Sequence, residues 1–366
     1  MKQHSYHFRS YQAGFSLIEL MVGLTIGLLA TLVITQVMSG FEVQKRVTTG
    51  SADAQTNGSI ALYDIGRELK MAGYGLLPIT NSAYDCTATT IDGIAETPAN
   101  RNSLLLSPVI ITDGNSDTIT IRYGNSSAGG IPSQIATVTP LTLDPKFGGN
   151  FGCAASNRTL ITSPTGCAMS NANTVSTTDN ISLTLNDTTG VVVGANLACL
   201  GTWNTSTYSV INGILYNQLN GAAATPVMEG IVNLQAQYGI SASAGSNLVT
   251  QWVDATGIWD ANAITVANRN LIKAIRIAVV ARNSKRQISN VTDTCSSYTT
   301  AAPIGLCAWD ATIAQPANAS PAPAINLAFT DPNWQQYRYR VFSAIIPLQN
   351  MIWAGTTATG QQGTLQ

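Results

Sequence analysis

The chain has 366 residues, a formal net charge of −1 and a mean hydropathy of +0.13. Only 10% of its residues are charged, and 18 Lys and Arg face 19 Asp and Glu. That balance excludes a basic nucleic-acid binder and leaves a polar, uncharged surface, on a chain long enough for one large or two ordinary domains.

The first fourteen residues hold Lys2 and Arg9, no acid, and both histidines, His4 and His7. Residues 15–38 follow, nearly all apolar or small, with Glu19 as the single charge. As a helix this run covers roughly 36 Å, enough for a bilayer core of about 30 Å. A positive flank before an apolar run places the N-terminus in the cytoplasm. The run is too long for a cleaved secretory signal, and a plain anchor gives no reason for a carboxylate in hydrocarbon. A cut between Gly14 and Phe15 supplies the reason. The new amine stands one helical turn from Glu19 on the same face, and it could neutralise that acid on its own chain or a neighbouring one.

Gly14-Phe15-Ser16-Leu17-Ile18-Glu19-Leu20 resembles the type III signal sequence of type IV pilins and type II secretion pseudopilins. The resemblance implies that a prepilin peptidase cuts after Gly14 and N-methylates Phe15, and that Glu19 guides the subunit into a filament. Gly23-x-x-x-Gly27, followed by Thr31, continues the face of Glu19. Such small residues let membrane helices approach closely, although glycine is common in membrane helices generally. Cleavage removes two bases and no acid, taking the formal charge from −1 to −3.

Residues 41–71 keep helical spacing as polarity rises. Ala54, Ala61, Ile65, Leu69 and Ala72 form an apolar stripe that Ile60 and Leu62 widen, and Gly73, Gly75 and Pro78 stop it. The simplest reading is one long helix, with Gly50, Gly58 and Gly66 as points for a break or bend. Beyond residue 74 strand-like runs take over. Residues 103–112 and 117–123 flank a turn at 113–116, where Asp113, Asn115 and Asp117 imitate the start of a calcium loop. Position twelve would be Gly124 rather than Glu, so the spacing reads as a hairpin turn. Residues 124–178 read as long loops stapled by a disulfide, with a short strand at 134–142. Further strands are expected at 180–185, 191–199, 208–217 and 228–239. LIKAIRIAVVAR at 271–282 is apolar on both faces in its second half, as a central strand requires. Another loop at 293–324 and the strand 337–348 follow, and a polar tail from 355 ends the chain.

All six cysteines lie after the apolar run, as expected of disulfides on the exported side. Short loops favour Cys153–Cys167 and Cys295–Cys307, leaving Cys86–Cys199. No C-x-x-C occurs and no histidine survives cleavage, which argues against zinc and any other metal or cofactor.

LYDIGRELKMAGYG at 62–75, MEGIVNLQAQYG at 228–239, IKAIRIAVVAR at 272–282 and YRYRVFSAIIPLQNMIW at 337–353 resemble the PilW-type minor pilins. The resemblance implies an α+β fold, with a long N-terminal pilin-type helix packed on a β-rich, loop-rich head. The segments expected are a cleaved leader at 1–14, a transmembrane and filament-core helix at 15–39, its periplasmic amphipathic continuation at 40–73, and the head at 74–366. The implied role is a structural subunit of a type IV pilus, near the tip, helping to initiate assembly. Implied partners are other minor pilins, the major pilin, prepilin peptidase, the inner-membrane assembly platform and a tip adhesin. Before assembly the chain would cross the bacterial inner membrane once; afterwards it would sit in the surface filament. Cell adhesion and twitching motility are the associated activities. The alternative is a minor pseudopilin of a type II secretion system.

Enzyme chemistry has little to work with. The mature chain lacks histidine, the commonest general base near neutral pH, and no phosphate-binding glycine loop is present. Tyr337-Arg338-Tyr339-Arg340 and Lys285-Arg286 are the sole hints of a nucleic-acid surface. In a strand the two tyrosines face one way and the two arginines the other, the pattern of a strand end with a solvated face.

Overall fold

The structure is a computed structural model. It describes residues 14–76, 86, 89–95, 97, 101–163, 166–296, 304–309 and 325–354. The leader up to residue 13, both histidines and the tail from 355 lie outside the described residues. Met1–Ser51 and Ala52–Gln366 form two units. Helix α1, Leu17–Met71, contributes to both.

In the first unit the apolar side chains of α1 are uncovered. Leu17, Leu24, Leu29, Ile34 and Met38 are each at least 60% exposed. In the second unit Ala54, Ala61, Ile65, Leu69 and Ala72 are all at most 4% exposed, as their spacing predicts. Burying an Ile or Leu side chain contributes roughly 1.5–3 kcal/mol, so this stripe holds the helix to the head. Ile60 does not widen it; at 44% exposure it lies on the solvent side, while Leu62 packs against the core. No break interrupts α1 at the glycines. Gly58 serves a close approach instead: a Cβ there would come within 2.2 Å of the Phe342 ring.

Sixteen strands are described in the head. In chain order they are β1 Thr89–Ile91, β2 Val109–Thr112, β3 Thr118–Tyr123, β4 Pro132–Val138, β5 Leu141–Leu143, β6 Arg158–Ser163, β7 Gly166–Val175 and β8 Leu183–Leu185. Then come β9 Asn196–Gly201, β10 Asn204–Ile211, β11 Ile214–Leu219, β12 Thr225–Glu229, β13 Ile231–Ser241, β14 Val249–Val253, β15 Ile272–Arg282 and β16 Tyr339–Pro347. Two short helices, α2 Val266–Arg269 and α3 Gln349–Ala354, complete the set.

The strands make three sheets. The order β14-β13-β15-β16 puts β15 in the interior of a four-stranded sheet, as its two-sided apolar pattern requires. One face of this sheet, with Leu234, Tyr238, Ile275 and Ile277, joins the main core with the α1 stripe. The other carries Ala278 and Val280 under Leu306, Trp309, Leu327 and Trp334. A five-stranded sheet, β12-β11-β10-β3-β2, shares the main core. The seven-stranded sheet β1-β7-β6-β9-β4-β5, with β8 on β7, holds a second core around Ile135, Ile161 and Leu197.

Four expectations fail here, each for a local reason. Residues 103–112 are not one strand: a 3-10 turn, Asn102–Leu106, precedes β2, and Pro108 has no N–H to offer a ladder. The strand expected at 191–199 starts only at Asn196, because Gly194 takes φ 84° in a turn. The strand expected at 208–217 is a hairpin of β10 and β11, turned by Asn212-Gly213 at φ 52° and 78°. That pair is the strongest short hairpin signal a sequence offers. Nearly half of 124–178 is sheet rather than loop, since Thr-rich strands bury small residues such as Ala168 and Ala172 that carry little hydrophobic pattern.

The disulfides also correct the sequence. Cys295–Cys307 forms as expected, but the other pairs are Cys86–Cys167 and Cys153–Cys199. Parallel pairing of β1 with β7 sets Thr89 beside Cys167, bringing the nearby Cys86 within bonding reach. Loop closure becomes costlier only slowly with length, so a separation of 81 residues did not protect against this pairing.

Candidate assembly interface

Gly14, Phe15 and Ser16 precede α1 in non-helical backbone. The bond expected to be cut therefore lies outside the helix and in the open. A Cβ on Gly14 would meet nothing within 4 Å, and Phe15 is 82% exposed. Ser16 starts the helix: its Oγ accepts the N–H of Glu19 at 3.2 Å and its carbonyl accepts that of Leu20 at 3.2 Å. Ser-x-x-Glu is the spacing of a capping box, and Phe15 and Leu20 stand at the staple positions beside it. Four consecutive residues thus both begin the helix and place its acid. Ser16 was missing from the sequence-based site, although the spacing announces it.

Glu19 makes no ion pair among the described residues. A negative side chain in the first turn suits the helix dipole, but in hydrocarbon it needs a counter-charge. Cleavage at Gly14 would create one at Phe15. Gly23 and Gly27 lie open, with nothing within 4 Å of an added Cβ, so another helix could pack directly on the backbone there. The hydroxyls of Thr25, Thr31, Thr35 and Ser39 donate to carbonyls three residues back at 2.8–2.9 Å. The helix therefore satisfies these polar groups itself, as a segment in lipid must.

At its other end α1 is tied into the head. Gly73 N–H donates to Arg122 O at 2.8 Å and Gly124 N–H to Tyr74 O at 2.7 Å. The Asn350 amide, at the start of α3, donates to Ala72 O at 3.0 Å and so serves a helix-end carbonyl. No local pattern could have announced Asn350, which comes from 278 residues away.

The calcium-like turn does other work. Asp117 is 2% exposed, and its carboxylate accepts the N–H groups of Ala236 at 2.7 Å and Gly114 at 3.1 Å. Asp117 N–H donates to Leu234 O at 2.7 Å, so the turn docks onto β13 and joins two sheets. Burial outweighs those N–H groups and pushes the Asp117 carboxyl up to about 7. The folded state then keeps a proton that the unfolded chain releases near pH 4, so stability falls as pH rises from about 4 to 7 and levels off above. At about 1.36 kcal/mol per pKa unit, the whole effect is on the order of 4 kcal/mol. Asp117→Asn should reduce the slope of unfolding free energy against pH by about one proton in that window; an unchanged slope would exclude Asp117 as its source.

Between residues 282 and 340 several charged and aromatic groups are engaged. Arg282 stacks on Tyr337 at 4.6 Å and pairs with Asp331 at 3.2 Å, and Tyr339 Oη donates to Trp334 O at 2.8 Å. Arg286 donates to Asn333 Oδ1 at 3.0 Å, while Arg338 and Arg340 are exposed. The tyrosine faces of 337–340 are therefore turned inward, opposite the arginines, as alternation predicts.

Two family models match the chain. One, described as the prokaryotic N-terminal methylation motif, covers residues 9–35, and the other, type IV pilus-assembly protein W, covers 204–350. Among curated proteins none matches it significantly. A solved type IV-like pilin of Thermus thermophilus is similar at 12% identity and a TM-score of 0.34, over 82% of this chain and 96% of that one. The methylation-motif match thus lies on the uncovered start of α1 and the assembly-protein match spans β10–β16, and over those two segments the chain is similar to PilW-type, type IV pilin-like proteins.

Proposed function

We propose that this chain is a minor pilin of a type IV pilus, built into the filament through its N-terminal helix and helping to start assembly at or near the tip. The observation that supports this most is the start of α1: an uncovered apolar helix, capped by Ser16, with Glu19 beside the expected cut. On this reading residues 1–14 are a leader and 15–39 cross the membrane and later line the filament core. Prepilin peptidase is then an obligatory partner, and other pilins cover the faces that α1 leaves open in the first unit.

The test is the N-terminal mass of the protein recovered from its host's envelope. The expected product begins at N-methylated Phe15. An intact Met1 in cells with active peptidase would overturn the processing route. Deletion should then cost the cell its pili; loss of secretion with pili intact would transfer the chain to a secretion pseudopilus.

A further inference from the structure

Strand β16 is the one long sheet edge among the described residues. It has nine residues, where the other edge strands have three to five. It pairs with β15 without a register shift, and its only proline, Pro347, ends it. Natural sheets blunt their edges with short strands, bulges or prolines, because unpaired N–H and C=O groups recruit other strands. β12 carries Pro226 and β14 a register shift; β16 has neither device.

Hydrogen bonds at both ends fix which groups β16 leaves free. Leu348 N–H donates to Lys273 O at 2.9 Å, and Asn283 N–H donates to Arg338 O at 2.9 Å. Bonded and non-bonded pairs alternate along an antiparallel ladder. Arg340, Phe342, Ala344 and Ile346 therefore direct their backbone groups to β15, while Val341, Ser343 and Ile345 direct theirs outward. Among the described residues nothing meets those outward N–H and C=O groups. Side chains are open on both faces of the strand: Arg340 on the α1 face, Ser343 and Ile345 on the other.

Phe342 lies at Gly58, Ile346 at Gly66 and Asn350 at Ala72, so β16 runs beside α1 and in the same direction. A second copy of this chain is therefore a poor guest. Antiparallel pairing of β16 with β16 would turn the two α1 helices in opposite directions, which chains inserted through those helices into one membrane cannot adopt. That step rests on the function proposed above. Parallel pairing would bring the arginines of the two copies together, and like charges side by side are destabilising. Arg338 and Arg340 are exposed and make no ion pair among the described residues, so they favour an acidic guest.

We propose that β16 accepts an antiparallel strand from a different protein, whose extended segment carries a carboxylate opposite Arg340. Exchange of N–H and C=O with Val341, Ser343 and Ile345 holds the guest, and the carboxylate fixes its direction and register.

The probe is an acetylated, amidated nonapeptide that alternates Thr and Val and has Glu at its eighth position, which meets Arg340 when its first residue meets Pro347. A second peptide has Lys there. Amide exchange of the full chain in detergent is followed by NMR as either is added. The amides of Val341, Ser343 and Ile345 should exchange freely in the chain alone and become protected saturably by the Glu peptide. The Lys peptide should need a concentration roughly tenfold higher, and Arg340→Gln should abolish that difference. Ser343→Pro removes an outward N–H, so it should keep the melting temperature of the parent yet lose the peptide effect. Ala344→Pro removes an N–H bonded to β15 and should melt well below it. A Ser343→Pro chain that melts as low would show that the outward N–H is already used, and would overturn the proposal. So would unchanged exchange at about 1 mM peptide, or equal binding of the two peptides. Protection that grows with the chain's own concentration would replace the foreign guest by a second copy. None of these results depends on the N-terminal mass, so either reading can fail without the other.

Discussion

Glu19→Ala is expected to leave the protein inserted in the membrane and to reduce its incorporation into filaments at least tenfold. The physical basis is the absence of any partner for this carboxylate among the described residues. An acid facing hydrocarbon adds a cost to insertion rather than helping it, so removing it cannot harm insertion. What disappears is the attraction between a carboxylate and the amine at Phe15 created by processing. A tenfold loss needs only about 1.4 kcal/mol of that attraction, a modest demand in low dielectric. Glu19→Gln separates charge from shape and should fail like alanine. Ser16→Ala removes the cap at a cost of about 1 kcal/mol to the helix start and should do less harm. The measurement compares the carbonate-resistant membrane fraction with the amount in sheared pili. Normal incorporation of both Glu19 variants would remove charge pairing from the account.

Gly130→Ala is expected to destabilise the head by about 4 kcal/mol or more, a severe loss for one methyl group. Gly130 has φ 73°, and a Cβ there would stand 2.0 Å from the backbone oxygen of Gly75 and 2.7 Å from its Cα. Backbone atoms at the end of α1 cannot step aside as a side chain could. The left-handed conformation alone costs an L-residue roughly 1–2 kcal/mol. Gly194, at φ 84° with nothing within 4 Å, carries that strain without the collision. Gly194→Ala therefore isolates the conformational share. Denaturant unfolding of both variants should give a clearly larger loss at 130 than at 194 with similar m-values. Equal losses would show that the chain opens at 75 and 130 without penalty.

Elements whose evidence lies among neighbours in the chain were legible. The stripe from Ala54 to Ala72 repeats at helical spacing, and all five positions are buried. Residues 272–282 alternate and turn apolar on both faces, and β15 is interior to its sheet. The start of α1 was legible twice over, as a family signal and as the Ser16 and Glu19 capping spacing. The Asn212-Gly213 turn was equally legible and was overlooked in favour of a single strand. Strands β4 to β7 were hard to see for a different reason. About half of their buried positions are Ala, Ser, Thr or Cys, which leave a faint alternation against a Thr-rich background.

By itself, then, the sequence determined where a helix begins, which face it buries, that a β-rich head follows, and which family the chain resembles. Those properties depend on spacings of a few residues, over which backbone geometry repeats without reference to the rest of the fold. Only the tertiary structure decided that Cys86 meets Cys167, that Asn350 serves the end of α1, that Asp117 bridges two sheets, and that Gly58 admits Phe342. Each of these joins residues far apart in sequence. Loop-closure entropy changes too slowly with separation to favour one distant partner over another, so strand register and packing make the choice.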